Sequence, residues 1–76
     1  MDEQIQAARV AFGNRVRKLR EAQNVSLRGF ALMVGIDKTF LMNVEKGRKS
    51  PTLDTIIKIA SGLGISPAEL FEDVDG

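Results

Sequence analysis

Apolar residues recur along the first third of the chain at spacings of three and four: Ile5, Ala8, Phe12, Val16 and Leu19. That period predicts a helix over roughly residues 3 to 23 with one buried stripe, and Arg9, Arg15, Arg17 and Lys18 fall on its other face. No period-two alternation of the strand type occurs anywhere. The punctuation downstream is helical as well. Ser26 suits an N-cap, and the segment it opens, to about Val34, would turn Leu27, Phe30, Ala31 and Val34 inward. Gly35 closes that segment in the C′ role, Asp37 caps a third segment to about Lys46, and Gly47 ends it. After the loop RKSP, Thr52 caps a fourth segment over residues 53 to 63, whose spacing predicts burial of Leu53, Ile56, Ile57, Ala60 and Leu63 before Gly64 stops it. Ser66 followed by Pro67 starts a short fifth helix carrying Leu70 and Phe71, and the acidic tail EDVDG is expected to fray. The pattern therefore predicts an all-α fold of five helices, one domain over residues 1–76, with no internal repeat and no interdomain linker.

Composition narrows the possible chemistry. The 76 residues contain neither cysteine nor histidine, so no disulfide staples the fold and the usual nitrogen and sulfur ligands of zinc are missing. The same two absences leave no ready general base and no soft nucleophile, and the carboxylates show no pairing pattern. No enzyme activity, no metal and no cofactor are expected. At 43% hydrophobic and 28% charged the chain reads as a soluble globular domain, without an apolar run near the ~20 residues that cross a bilayer. The start MDEQIQ has no basic and apolar signal-peptide pattern, so a cytoplasmic protein without a membrane partner is expected.

Net charge is only +1, but it is unevenly spread. Residues 1 to 26 sum to +2, residues 27 to 50 to +3, and residues 51 to 76 to −4. Such asymmetry suits an electrostatic footprint on one face with the acidic end turned elsewhere, although small domains also segregate charge by chance. At about 100° of turn per residue, the third segment places Phe40, Leu41, Val44 and Glu45 on one side and Lys38, Thr39, Met42, Asn43 and Lys46 on the other. A solvated face would explain that arrangement by itself. Two capped helices joined by a short glycine turn, however, make a helix-turn-helix, whose second helix is the reading element.

Several stretches carry a closer match: the run RKLRE at 17 to 21, Ser26 with Phe30 and Ala31, the Gly35-Ile36 turn, Leu41 and Val44 with Glu45 and Gly47, Pro51-Thr52-Leu53, and IIKIASGLGISPAELF at 56 to 71. Through them the chain from about residue 16 to 71 resembles the lambda-repressor-like helix-turn-helix family, also called Cro/C1-type or XRE-type; the first ten residues lie outside the match. The resemblance implies sequence-specific binding of double-stranded DNA by a small transcriptional regulator, of repressor or controller type, with the third helix in the major groove. It carries base reading onto Lys38, Thr39 and Asn43, whose ammonium, hydroxyl and amide suit base edges, and leaves Met42 on the same face, where its thioether could meet a thymine methyl. Ser26, Arg28, Lys46, Arg48 and Lys49 are the candidates for phosphate contact.

It also implies a structural ion pair between Arg20 and Glu45 that seats the recognition helix. One departure stands out, since the family commonly has a glutamine after the second-helix cap and this chain has Leu27. Gly29, inside the second helix, costs about 1 kcal/mol relative to alanine and is expected to serve close packing or a loose local structure. Relatives usually pair by two-fold symmetry, so a homodimer is expected, through Ile65, Leu70, Phe71 and Val74, unless Leu70 and Phe71 only close the chain's own core. No small-molecule effector is evident. A protein-interaction module of antitoxin-like or anti-repressor type is the other reading of the same fold.

Overall fold

Five helices form where the caps lie. The computed structural model describes residues 2–72 and 74: α1 is Glu3–Ala22, α2 Leu27–Val34, α3 Lys38–Glu45, α4 Leu53–Leu63 and α5 Pro67–Leu70, and no strand occurs among the described residues. Asp2 opens α1 by accepting from the N–H groups of Gln4 and Ile5. Ser26, Asp37 and Thr52 each accept from the N–H three residues on, at 3.0, 3.0 and 3.2 Å, which satisfies one of the free donors at each helix start. At α5 the exchange is reciprocal, Ser66 Oγ accepting from Glu69 N and Glu69 Oε1 from Ser66 N. The helices end within a residue of where the sequence places them. Of the expected fraying of the tail, Asp73, Asp75 and Gly76 lie outside the described residues.

Phe12 and Val16 of α1, Phe30 and Ala31 of α2, Leu41 and Val44 of α3, Ile59, Ala60 and Leu63 of α4 and Leu70 of α5 form one core. Six of these side chains, Val16, Phe30, Leu41, Val44, Ile59 and Leu70, have essentially no exposed surface. Each such burial contributes about 1.5 to 3 kcal/mol, which is how a chain this short holds five helices without staples. Gly62 lets α4 approach α2, since a Cβ there would lie 2.3 Å from Val34 Cγ1 and 3.1 Å from Phe30 Cε1. Gln23 donates from its amide to the Leu63 carbonyl at 2.9 Å, tying the end of α4 to the end of α1.

Two stripes depart from expectation, that of α4 by rotation and that of α1 only at its first residue. Leu53 and Ile57 are 68% and 48% exposed, and Ile59, absent from the expected face, is buried in their place. The apolar arc of α4 is wide enough to allow several orientations, and packing against α2 through Gly62 selects the one that turns Ile59 inward. Ile5 is likewise 51% exposed, at the end of α1 that extends past the core. Gly29 does not serve a close helix approach: a Cβ there would meet only Ser26 Oγ at 3.0 Å and Val25 Cγ1 at 3.8 Å.

Candidate nucleic-acid interface

The chain reverses between α2 and α3 over three residues. Gly35 takes the left-handed conformation at φ 71°, which glycine adopts without steric cost, and the N–H of Ile36 then returns to the Ala31 carbonyl at 3.0 Å. Half-buried Ile36 packs on the core, and Asp37 starts α3 directly. The turn thereby fixes the angle at which α3 leaves α2.

α3 divides as its periodicity predicts. Leu41, Val44 and Glu45 are buried and Phe40 packs against the core. Lys38 and Thr39 are exposed in the first turn; Met42 and Asn43, one turn later, are half-buried. Asn43 Nδ2 donates to the Thr39 carbonyl at 3.1 Å, so the amide lies back along its own helix while its Oδ1 keeps its acceptor capacity. Met42 is not among the hydrophobic residues packed on the core.

Exposed cations gather at both ends of this helix. Arg28, in the first turn of α2, and Lys38 line one surface groove together with Leu32, Ile36 and Asp37. At the other end Lys46 is the C-cap of α3, and Gly47, at φ 75°, lets the N–H of Arg48 return to the Asn43 carbonyl at 2.8 Å. Arg48 and Lys49 follow in the exposed turn. Ser26 is exposed; its Oγ accepts from Gly29 N, which leaves the hydroxyl hydrogen able to donate outward.

On the side of α3 away from Lys38 and Thr39, Arg20 holds Glu45. Nε donates to Oε2 at 2.8 Å, Nη2 to Oε1 at 2.9 Å, and Nη1 to the Val25 carbonyl at 2.8 Å. Both residues are buried, and the hydrogen bond to Glu45 raises the Arg20 pKa, so the guanidinium keeps its charge. One side chain thus joins α1, the α1–α2 turn and the last residue of α3.

The same end of α3 rests on α1 through contacts that the sequence pattern does not single out. A Cβ on Gly13 would lie 2.4 Å from the Val44 carbonyl oxygen and 2.5 Å from that of Glu45; one on Gly47 would lie 2.9 Å from Val10 Cα. Gln6 Nε2 reaches the Gly47 carbonyl at 3.5 Å. The only sequence signal for this seat is a glycine in mid-helix, where alanine would be favoured by about 1 kcal/mol.

The residues expected at a dimer surface separate. Leu70 is wholly buried in the chain's own core and offers nothing to a second copy, because its burial is already used in holding α5 down. Ile65 and Val74 are half-buried against that core. Phe71 stays 44% exposed with its ring centroid 5.1 Å from that of Phe12.

A sequence model described as helix-turn-helix matches residues 16–70. The chain is 37% identical over 68 residues to control protein C.MunI of Mycoplasma sp, covering 88% of this chain and 92% of that protein. It is 32% identical over 65 residues to control protein C.BamHI of Bacillus amyloliquefaciens, with 84% and 80% covered. The crystal structure of the restriction-modification controller protein C.AhdI from Aeromonas hydrophila superposes with a TM-score of 0.80 at 40% identity, covering 82% of this chain and 94% of that one.

Proposed function

The chain belongs to the Cro/C1-type (XRE) helix-turn-helix family and is a sequence-specific DNA-binding transcriptional regulator; we propose that it acts as a controller of a restriction-modification system, without a small-molecule effector. The likeness to the control proteins C.MunI and C.BamHI and to the controller C.AhdI supports the controller role, and the two-sidedness of α3 supports the reading of bases. Its buried side is locked to the core and to Arg20, and its outer side presents Lys38, Thr39, Met42 and Asn43 on a rigid mount. Lys38 donates to guanine O6 or N7, Thr39 contacts a base edge by hydroxyl or methyl, and Asn43 pairs with adenine once its amide turns outward. Met42 packs on a thymine methyl.

Ser26, Arg28, Lys46, Arg48 and Lys49 contact phosphates. Arg28 and Lys38 share a groove at one end of the reader, while Lys46, Arg48 and Lys49 follow each other past its other end, so the contacts flank α3. An eight-residue helix reads only a few base pairs, and a two-fold homodimer supplies the second half-site. Leu53 and Ile57, one turn apart on α4, and Phe71 are exposed apolar side chains that we assign to this interface, together with half-buried Ile65 and Val74. Among the described residues no helix is long and apolar enough to cross a membrane, and a DNA partner goes with a cytoplasmic location.

Titration of a labelled duplex at several salt concentrations tests the reading. Counterion release makes log K fall against log salt with slope about −0.9 per phosphate neutralised. Binding that ignores salt would favour a protein partner instead.

A further inference from the structure

We propose that the N-terminal part of α1, through Gln6, Val10 and Gly13, positions the basic turn Lys46 to Lys49 for phosphate contact. The inference rests on the DNA-binding reading and extends it to residues that all precede the helix-turn-helix match, which begins at residue 16. Between them the three residues meet the backbone of Val44 and Glu45 at the end of the reading helix and of Gly47 just past it. Gly13 admits the carbonyls of Val44 and Glu45, at 2.4 and 2.5 Å from where a Cβ would be. Val10 lies under Gly47, whose own Cβ would stand 2.7 Å from Val10 Cγ2 and 2.9 Å from Val10 Cα. Gln6 donates to the Gly47 carbonyl at 3.5 Å.

Gly47 is the pivot of the turn. It is buried although Lys46 and Arg48 on either side are exposed, and its positive φ sends the chain out of α3 toward Arg48 and Lys49. Fixing Gly47 therefore fixes where the three cations stand relative to the reading face. Arg20 and Glu45 hold the helix itself; the α1 extension holds what leaves it. Residues of this kind touch no DNA and act through the turn they position.

The test uses the whole chain with Gln6→Ala, Val10→Ala and the double substitution, and a labelled random-sequence duplex of about 20 base pairs as probe. Gln6 is exposed and Val10 is 40% exposed, so thermal unfolding followed by circular dichroism should show folded variants. Binding is measured from about 50 to 200 mM salt, where phosphate contacts dominate. The expected result is a log K against log salt slope shallower than the wild type's by about 0.9 for each phosphate released, with the double substitution shallower than either single one. A role confined to folding would lower affinity without changing the slope. Slopes equal to a salt-dependent wild type overturn the inference alone; a wild type with no salt dependence overturns the DNA-binding reading beneath it.

Discussion

Arg20 and Glu45 meet through two parallel hydrogen bonds of 2.8 and 2.9 Å although they lie 25 residues apart in sequence, and neither is more than 7% exposed. Arg20→Ala strands the carboxylate beside the core and should cost about 3 to 5 kcal/mol of stability, measured as a shift in chemical-denaturation midpoint. Replacing both residues by methionine should recover most of that loss, because a well-packed apolar pair avoids desolvating two charges. A midpoint unchanged in Arg20→Ala would contradict the buried pair.

Two glycines should respond very differently. Gly13→Ala drives a methyl into the carbonyls of Val44 and Glu45, and the overpacking should outweigh the helix propensity gained, with a net loss of about 1 to 3 kcal/mol. Gly29→Ala meets only the capping hydroxyl of Ser26, and its stability should stay within about 1 kcal/mol of wild type. Parallel urea titrations of the two variants compare them.

Acid should remove the stability that the Glu69 cap of α5 contributes. The backbone N–H and hydroxyl of Ser66 hold the Glu69 carboxylate below its ordinary range. A depressed folded pKa contributes stability that is present above the unfolded value and is lost as pH falls through the lower, folded one. Melting temperature should therefore drop less between about pH 5 and 3 in Glu69→Gln, whose amide still accepts the capping bond, than in the wild type. Identical pH profiles would remove Glu69 as a source of acid sensitivity.

The oligomer is decided by sedimentation equilibrium at micromolar concentration. The wild type should be a dimer, and Ile57→Asp, on the exposed side of α4, should make it a monomer. Leu32→Asp should leave it dimeric, although Leu32 is 79% exposed, because it lies on α2 beside the reading helix. Dissociation by Leu32→Asp alone would move the interface to that helix.

How much of this was legible in the sequence follows from the range of each interaction. Ser26, Asp37, Thr52 and Ser66 cap within three residues of themselves, and Gly35, Gly47 and Gly64 turn the chain locally, so composition and spacing suffice to find them. The two faces of α3 follow from its period for the same reason. The rotation of α4 does not, because Leu53, Ile57 and Ile59 are all apolar and the choice among them is made by packing against the other helices, including the close approach of Gly62 to Val34 and Phe30. The pattern around Leu70 is as compatible with an interface as with a core, and only the packing of α5 against the other helices assigns it to the core. Gln6, Val10 and Gly13 were illegible for a related reason: their partners are backbone atoms of α3 and of the turn after it, more than thirty residues away, which leave no trace in hydrophobic pattern.

Selection of bound sites from random duplexes, run in parallel for the wild type and for Lys38→Ala, Asn43→Ala and Arg48→Ala, tests most directly the claim that α3 reads bases from its outer face. Lys38→Ala and Asn43→Ala should each lose preference at particular base pairs, by about 1 to 3 kcal/mol per position, while Arg48→Ala weakens all sequences alike. If Asn43→Ala and Lys38→Ala instead lower binding equally at every sequence and keep the wild-type preference, α3 is not the reading element.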